Sequence, residues 1–267
     1  MDRPTWAPVE VDVDRPSAAR VYDYWLGGSH NFAVDRALAE QALRIVPELP
    51  EITRANRAFL RRAVRYCLDN GIRQFLDLGS GIPTVGNVHE VAQSVAPESR
   101  VVYVDSDPVA VAHSRAILAG NERAEVVQAD ACDPDAVLGA PGTRRLIDPD
   151  QPLAVLMLAL LHFVPDSDDP AGIIGRYRDA GPSGSYLVLS HGTDAADERR
   201  AGMKELYARS TTPLALRPPD AVAALFAGYE LVEPGVVYLP EWRPDPAEAP
   251  DEDPARFGVL AGVGRTP

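Results

Sequence analysis

The chain has 267 residues, 46% of them hydrophobic, which is enough for one large α/β domain with a closed core and too apolar for global disorder. A net charge of -13 argues against wrapping a nucleic-acid backbone, which needs a basic face. Cys67 and Cys132 are far apart and lack metal-type spacing, so they read as buried small hydrophobes in a reducing, cytoplasmic setting, and no metal site is expected.

No charged-then-apolar leader and no apolar run of transmembrane length is evident, so no membrane partner is expected. Lys204 is the only lysine, which removes lysine as a general base elsewhere. Met1–Arg15 is polar and reads as a loose arm. Pro16-Ser17 opens a helix with Val21, Tyr24 and Trp25 on one face, and Gly27-Gly28 stops it. A second helix covers Val34–Ile45, ended by Pro47 and Pro50. Thr53 caps a third, running to about Leu68, with Phe59, Ala63, Tyr66 and Cys67 apolar and Arg61, Arg62 and Arg65 solvated.

From there short apolar runs alternate with helices. The runs Phe75–Leu78, Arg100–Val104, Ala124–Gln128, Leu153–Leu158 and Ser185–Ser190 read as strands. Helices are expected at Val85–Val95, Pro108–Leu118, Asp197–Arg209 and Asp220–Ala227. The alternation predicts a parallel sheet covered on both faces. Tyr229–Val237 and Phe257–Val263, separated by an acidic surface loop at Pro240–Pro254, are expected to close the sheet as a hairpin. The organisation expected is a 1–70 arm and helical lid followed by a 71–267 ligand-binding domain.

Three elements carry chemistry. Phe75-Leu-Asp-Leu-Gly-Ser-Gly81 runs a strand into a Gly-x-Gly turn, where a ligand approaches backbone beside a helix N-terminus. Val101-Val-Tyr-Val-Asp105 ends in an acid about two dozen residues after the glycines, the spacing of a carboxylate that accepts both ribose hydroxyls of an adenosine. Asp107 reads either as a second ribose contact or only as the next helix's N-cap. Asp130, just past the third strand, accepts an adenine amino group, with Ala131 supplying backbone. A dinucleotide site expects a third glycine where Thr84 stands, so a pyrophosphate finds a poorer cradle. A cationic sulfonium instead favours carboxylates such as Asp77.

With these elements in place, the sequence resembles the actinobacterial S-adenosyl methyltransferase family. The resemblance spans roughly Pro16 to Gly264. It rests on Arg20-Val-Tyr-Asp-Tyr-Trp-Leu-Gly-Gly28, Asn31-Phe32, Asp35-Arg36, Arg54-Ala-Asn-Arg-Ala-Phe-Leu60 and Leu76-Asp-Leu-Gly-Ser-Gly-Ile-Pro-Thr84. Asn87-Val-His-Glu-Val-Ala92, Val102-Tyr-Val-Asp-Ser-Asp-Pro108, Leu160-Leu-His-Phe-Val164 and Ser185-Tyr-Leu-Val-Leu-Ser-His191 complete it. The resemblance implies a Rossmann-like class I methyltransferase fold: α/β, a mainly parallel seven-stranded sheet, a C-terminal antiparallel hairpin and an N-terminal helical lid. It implies S-adenosyl-L-methionine as cofactor at Asp77, Gly79, Ser80, Gly81, Asp105, Ser106, Asp130 and Ala131, and it names no acceptor.

Tyr22, Asn31 and Arg57 are expected near cofactor or acceptor, under a lid hinged at Gly27-Gly28. His89 either contacts cofactor or only packs. His162, after the fourth strand, is the first candidate for a general base or an acceptor-positioning group, with Tyr22 beside it as a catalytic candidate. His191 is the next candidate. The expected reaction is methyl transfer to a small-molecule acceptor. A cofactor-binding regulatory module and a nicotinamide-dependent oxidoreductase are the rivals, and a homodimer is left open.

Overall fold

The computed structural model describes residues 11–83, 86–194, 198–208, 210, 212–245 and 251–267. Met1 to Glu10 of the expected arm, and Thr84 where a third glycine was sought, lie outside the described residues.

Three helices precede the first strand: α1 (Ala18–Trp25), α2 (Ala33–Ile45) and α3 (Leu49–Asp69). Helix α3 starts at Leu49, four residues before the expected cap. Pro50 sits in its first turn, where a missing N–H costs nothing, and Thr53 Oγ1 donates back to the Pro50 carbonyl at 3.0 Å. The strands β1 (Gln74–Leu78), β2 (Arg100–Asp105), β3 (Ala124–Gln128), β4 (Ala154–Leu158) and β5 (Tyr186–Gly192) pair in parallel. Helices α4 (Val88–Val95) and α5 (Pro108–Ile117) connect the first three. Three further short helices were not expected from the sequence: α6 (Pro134–Gly139), α7 (Pro141–Leu146) and α8 (Pro170–Arg178). After β5 come α9 (Glu198–Tyr207) and α10 (Pro219–Ala224). The expected start of α9 at Asp197, its expected end at Arg209 and the start of α4 at Val85 lie outside the described residues.

The sheet has eight strands rather than seven. The expected strand Tyr229–Val237 splits into β6 (Glu230–Leu231) and β7 (Val237–Tyr238) around Pro234-Gly235, and both pair antiparallel with β8 (Val259–Arg265). β8 itself lies antiparallel to β5, giving the order β3-β2-β1-β4-β5-β8-β6. The expected surface loop at Pro240–Pro254 is not all surface. Trp242 is fully buried, edge-on to Phe59 and Tyr66 of α3. Residues 246–250 of that loop lie outside the described ones.

Successive residues of each central strand serve opposite cores. Phe75, Tyr103, Leu156 and Val188 pack with Phe59 and Val64 of α3 and with Val88 and Ala92 of α4. Leu76, Val102, Val155 and Leu187 pack with Ile173, Ile174 and Tyr177 of α8. Chain order reverses between β1 and β4, and in a doubly wound sheet a ligand crevice opens at the carboxyl ends of strands there. No helix of the described residues is long and apolar enough to cross a membrane.

Candidate active site

That crevice is a cavity of about 530 Å³. Its floor is the turn after β1. Gly79 and Gly81 both have positive φ, +65° and +68°, and a Cβ on Gly81 would meet open space within the cavity it lines. Asp77, the penultimate residue of buried β1, Asp105 at the tip of β2, and Asp130 just past β3 line the same cavity, with Ser80, Ser106 and Ala131 between them.

The Asp105 carboxylate is held by two backbone donors: Gly81 N–H to Oδ2 at 2.7 Å and Asp107 N–H to Oδ1 at 2.8 Å. It is thereby fixed across the glycine turn, with lone pairs to spare. Burial pushes its pKa up to about 6 against the pull of those donors. Asp77 is pushed higher, to about 7, chiefly by burial; the nearby Arg57 opposes this and Asp105 adds to it. Asp130 is exposed at the rim and ties its own loop through Cys132 N–H at 2.8 Å.

Asp107 resolves as the N-cap of α5, accepting from Val109 N–H at 2.8 Å. Its second oxygen accepts from Ser17 Oγ at 2.5 Å and lies 3.5 Å from Arg20 of α1. Arg20 is buried and also pairs with fully buried Asp35 at 3.0 Å. The N-terminal segment is thus fastened over the β2 tip, and Asp12, Arg15, Ser17 and Arg20 line the cavity from that side. This fastening was not expected from the sequence.

Arg57 lines the floor and donates to the Gly86 carbonyl at 3.2 Å and to Asn87 Oδ1 at 3.3 Å. Its Nε, and Ser80 Oγ, are buried without a hydrogen-bond partner. Such orphans beside a pocket mark a place where a polar group is wanted.

Three sequence-derived residues, Asn31, His89 and His191, do not line the cavity. Asn31 donates to Asp23 Oδ2 at 2.9 Å and to the Gly28 carbonyl at 3.0 Å, and accepts from Arg36. It shapes the loop after α1. A Cβ on Gly28 would fall 2.0 Å from Asp23 Oδ1, so close packing explains that glycine without a hinge. His89 pairs with the Tyr103 hydroxyl through both its backbone N–H, at 2.8 Å, and its Nδ1, at 2.7 Å. Burial lowers its pKa and keeps it neutral.

The other half of the cavity lies between α1, α3, α9 and the end of β4. Here Tyr22 donates to the Thr53 carbonyl at 3.2 Å and accepts from Asn56 at 3.1 Å. Asn56 in turn accepts from Ser190 Oγ at 2.7 Å, which ties α1 and α3 to the tip of β5. Burial raises the Tyr22 pKa, so the phenol stays protonated and is no base. Ala159, where β4 ends, has φ +52°, a strained conformation for alanine at a cavity wall.

His162 lines this half, and its Nδ1 accepts from Gly192 N–H at 3.2 Å. That bond places the neutral ring's proton on Nε2, which makes Nε2 a donor. The geometry fits an acceptor-positioning histidine better than a general base. His191 is fully buried, with Nε2 2.8 Å from Arg217 and Nδ1 2.7 Å from the Gly192 carbonyl. Its pKa falls to about 4, mainly by burial, so it is a structural latch and not a second catalytic candidate. No cluster of three His, Cys, Asp or Glu residues that could hold a metal occurs among the described residues.

A family profile described as S-adenosyl methyltransferase matches residues 4–267. A crystal structure of a candidate methyltransferase from Thermobifida fusca YX shares 42% identity, covering 98% of this chain and 99% of that one, with a TM-score of 0.92. A DUF574 family protein from Streptomyces avermitilis MA-4680 shares 42%, covering 96% and 99%, at a TM-score of 0.91. The pyocyanin biosynthetic protein PhzM shares the fold alone, at 18% identity, 82% and 57% coverage and a TM-score of 0.51. No curated protein sequence matches. The chain belongs to the S-adenosyl methyltransferase family; it is an enzyme of the Rossmann-like methyltransferase fold whose cosubstrate is S-adenosyl-L-methionine.

Proposed function

We propose that this member of the S-adenosyl methyltransferase family methylates a small-molecule acceptor, with cofactor across the tips of β1, β2 and β3 and acceptor beside the end of β4. The observation that carries this reading is the convergence of Asp77, Asp105 and Asp130 with Gly81 on one cavity. The residues fit the group. The Gly81 turn leaves room that a side chain would fill, Asp105 presents a fixed carboxylate to a diol, and Asp77 offers a carboxylate to a cationic amine or sulfonium. Arg57 and Ser80 bring unpartnered polar atoms to the floor.

When bound, S-adenosyl-L-methionine supplies an electrophilic methyl on a sulfonium. Asp105 orients the ribose and Asp130 accepts from the adenine. Arg57 and Ser80 hold the amino-acid end beside Asp77. The α1 segment, fastened through Ser17 and Arg20 to Asp107, excludes water on one side. Holding donor and acceptor in line in a dry site supplies most of the acceleration, so no strong base is required. The acidic surface is the support for a small molecule over a nucleic acid, and the two free cysteines support a reducing, cytoplasmic setting.

Calorimetric titration with S-adenosyl-L-methionine and S-adenosylhomocysteine tests the site. Both should bind, and Asp105→Ala should weaken each by roughly ten- to hundred-fold, since a hydrogen bond to a charged group contributes about 1.5–3 kcal/mol. Unchanged affinity in the variant would remove the ribose assignment.

A further inference from the structure

The cavity is divided by charge. Asp77, Asp105, Asp130 and Arg57 line it at the tips of β1 to β3. Asp12, Arg15, Arg20 and Asp107 line it where the N-terminal segment meets α5. These are all the charged residues in its described lining. The half assigned above to the acceptor contains none of them but Arg57 at its border, whose charge reaches the Tyr22 phenol. It is walled by Val46, Leu49, Ile52, Leu60, Leu214 and Leu216, and by the rings of Tyr22, Trp25, Phe163 and Tyr207. Phe163 and Tyr207 lie with ring centroids 5.9 Å apart and planes inclined by 33°.

The polar groups of this half are uncharged as well. Burial raises the pKa values of Tyr22 and Tyr207, so both remain neutral phenols. His162 accepts from Gly192 at Nδ1, and Asn56 is spent between Ser190 and Tyr22. A charged group brought into such a chamber loses its hydration and finds no counter-ion beyond Arg57, which already faces Asp77, whereas a flat apolar ring finds aromatic and aliphatic walls on several sides. One face of the cavity is thus suited to a cation and the other to neither sign.

We propose that the methyl acceptor is an uncharged, flat aromatic molecule. This deepens the methyltransferase reading above and rests on it. Selectivity would come from exclusion of charge: an aromatic carboxylate or ammonium of the same size is rejected because the walls offer it neutral hydrogen-bonding groups but no unclaimed opposite charge.

The test uses the full chain saturated with S-adenosylhomocysteine and three probes of one size: 2-naphthol, 2-naphthoate and 2-naphthylmethylammonium. Calorimetry should show 2-naphthol binding at least ten-fold more tightly than either charged probe. In Leu214→Arg, placed on a loop of the chamber wall, the preference should turn toward 2-naphthoate, with S-adenosylhomocysteine binding measured first to show that the variant is folded. If the wild-type chain fails to bind S-adenosylhomocysteine, the methyltransferase site itself is wrong. If it binds S-adenosylhomocysteine but takes 2-naphthol no better than the charged probes, or not at all, the acceptor class is wrong and the cofactor site stands.

Discussion

Asp77 shows how a single side chain sets function against stability. Its carboxylate lies next to the carboxyl end of a fully buried strand, and burial lifts its pKa to about 7, far above an ordinary aspartate. For an acid whose folded pKa is raised, the folded state holds its proton more tightly than the unfolded chain. The protein is therefore most stable with respect to this group below the unfolded pKa, near 4, and loses that stability as pH rises through about 7. Asp77→Asn should stabilise the cofactor-free protein by about 1–3 kcal/mol at about pH 8 and have little effect at about pH 4. Thermal or chemical denaturation at the two pH values checks this; equal effects at both would show that burial is not what strains the carboxylate. The same acids were legible in the sequence, because a strand tip can be recognised from an apolar run and a following glycine. What they do to each other was not. The closeness of Asp77, Arg57 and Asp105 depends on α3 lying against the sheet, and no local pattern encodes that.

Helix α1 is short, eight residues, and too small to hold itself on the molecule. It is held by Arg20, whose side chain bridges buried Asp35 of α2 and Asp107 of α5. Removing one partner of a buried pair leaves the other charge stranded, which costs about 3–5 kcal/mol. Arg20→Ala should accordingly speed amide exchange across Ala18–Trp25 and weaken S-adenosylhomocysteine binding, while β1 to β5 keep their protection. Hydrogen exchange with and without ligand separates the cases: uniform loss of protection would mean that α1 is part of the global core and not a separately fastened element. Element by element, the sequence was read best where period and length agree, as in β1 to β5 and α5. It failed for α6, α7 and α8 because each begins at a proline, and α6 and α8 have an aspartate cap just before it, a pairing that reads equally as a turn. The split of the late strand into β6 and β7 was hidden in the same way, since Pro234-Gly235 looks like a minor interruption of an apolar run.

At the scale of the whole molecule, both-face burial of the strands followed from their unbroken apolar runs, and the doubly wound sheet followed from the alternation. The walls of the acceptor chamber did not follow, since they come from α1, Val46 just after α2, α3, α9 and the 212–216 loop, segments distant in sequence that meet only over the sheet. Charge, by contrast, is a property of the whole chain and acts before any contact is made. The net charge is -13, and the cavity is lined by five aspartates against three arginines. S-adenosyl-L-methionine carries one more positive charge than S-adenosylhomocysteine, so the field should draw the cosubstrate in and favour it over its product during encounter. Raising salt from about 0.01 M to about 1 M shortens the screening length from ~30 Å to ~3 Å and should strip that advantage away. Stopped-flow association should therefore slow several-fold for S-adenosyl-L-methionine over this range and hardly at all for S-adenosylhomocysteine. Parallel salt dependence for the two ligands would mean that the acidic surface does not steer, and that the site distinguishes cosubstrate from product only after contact, through Asp77 and its neighbours.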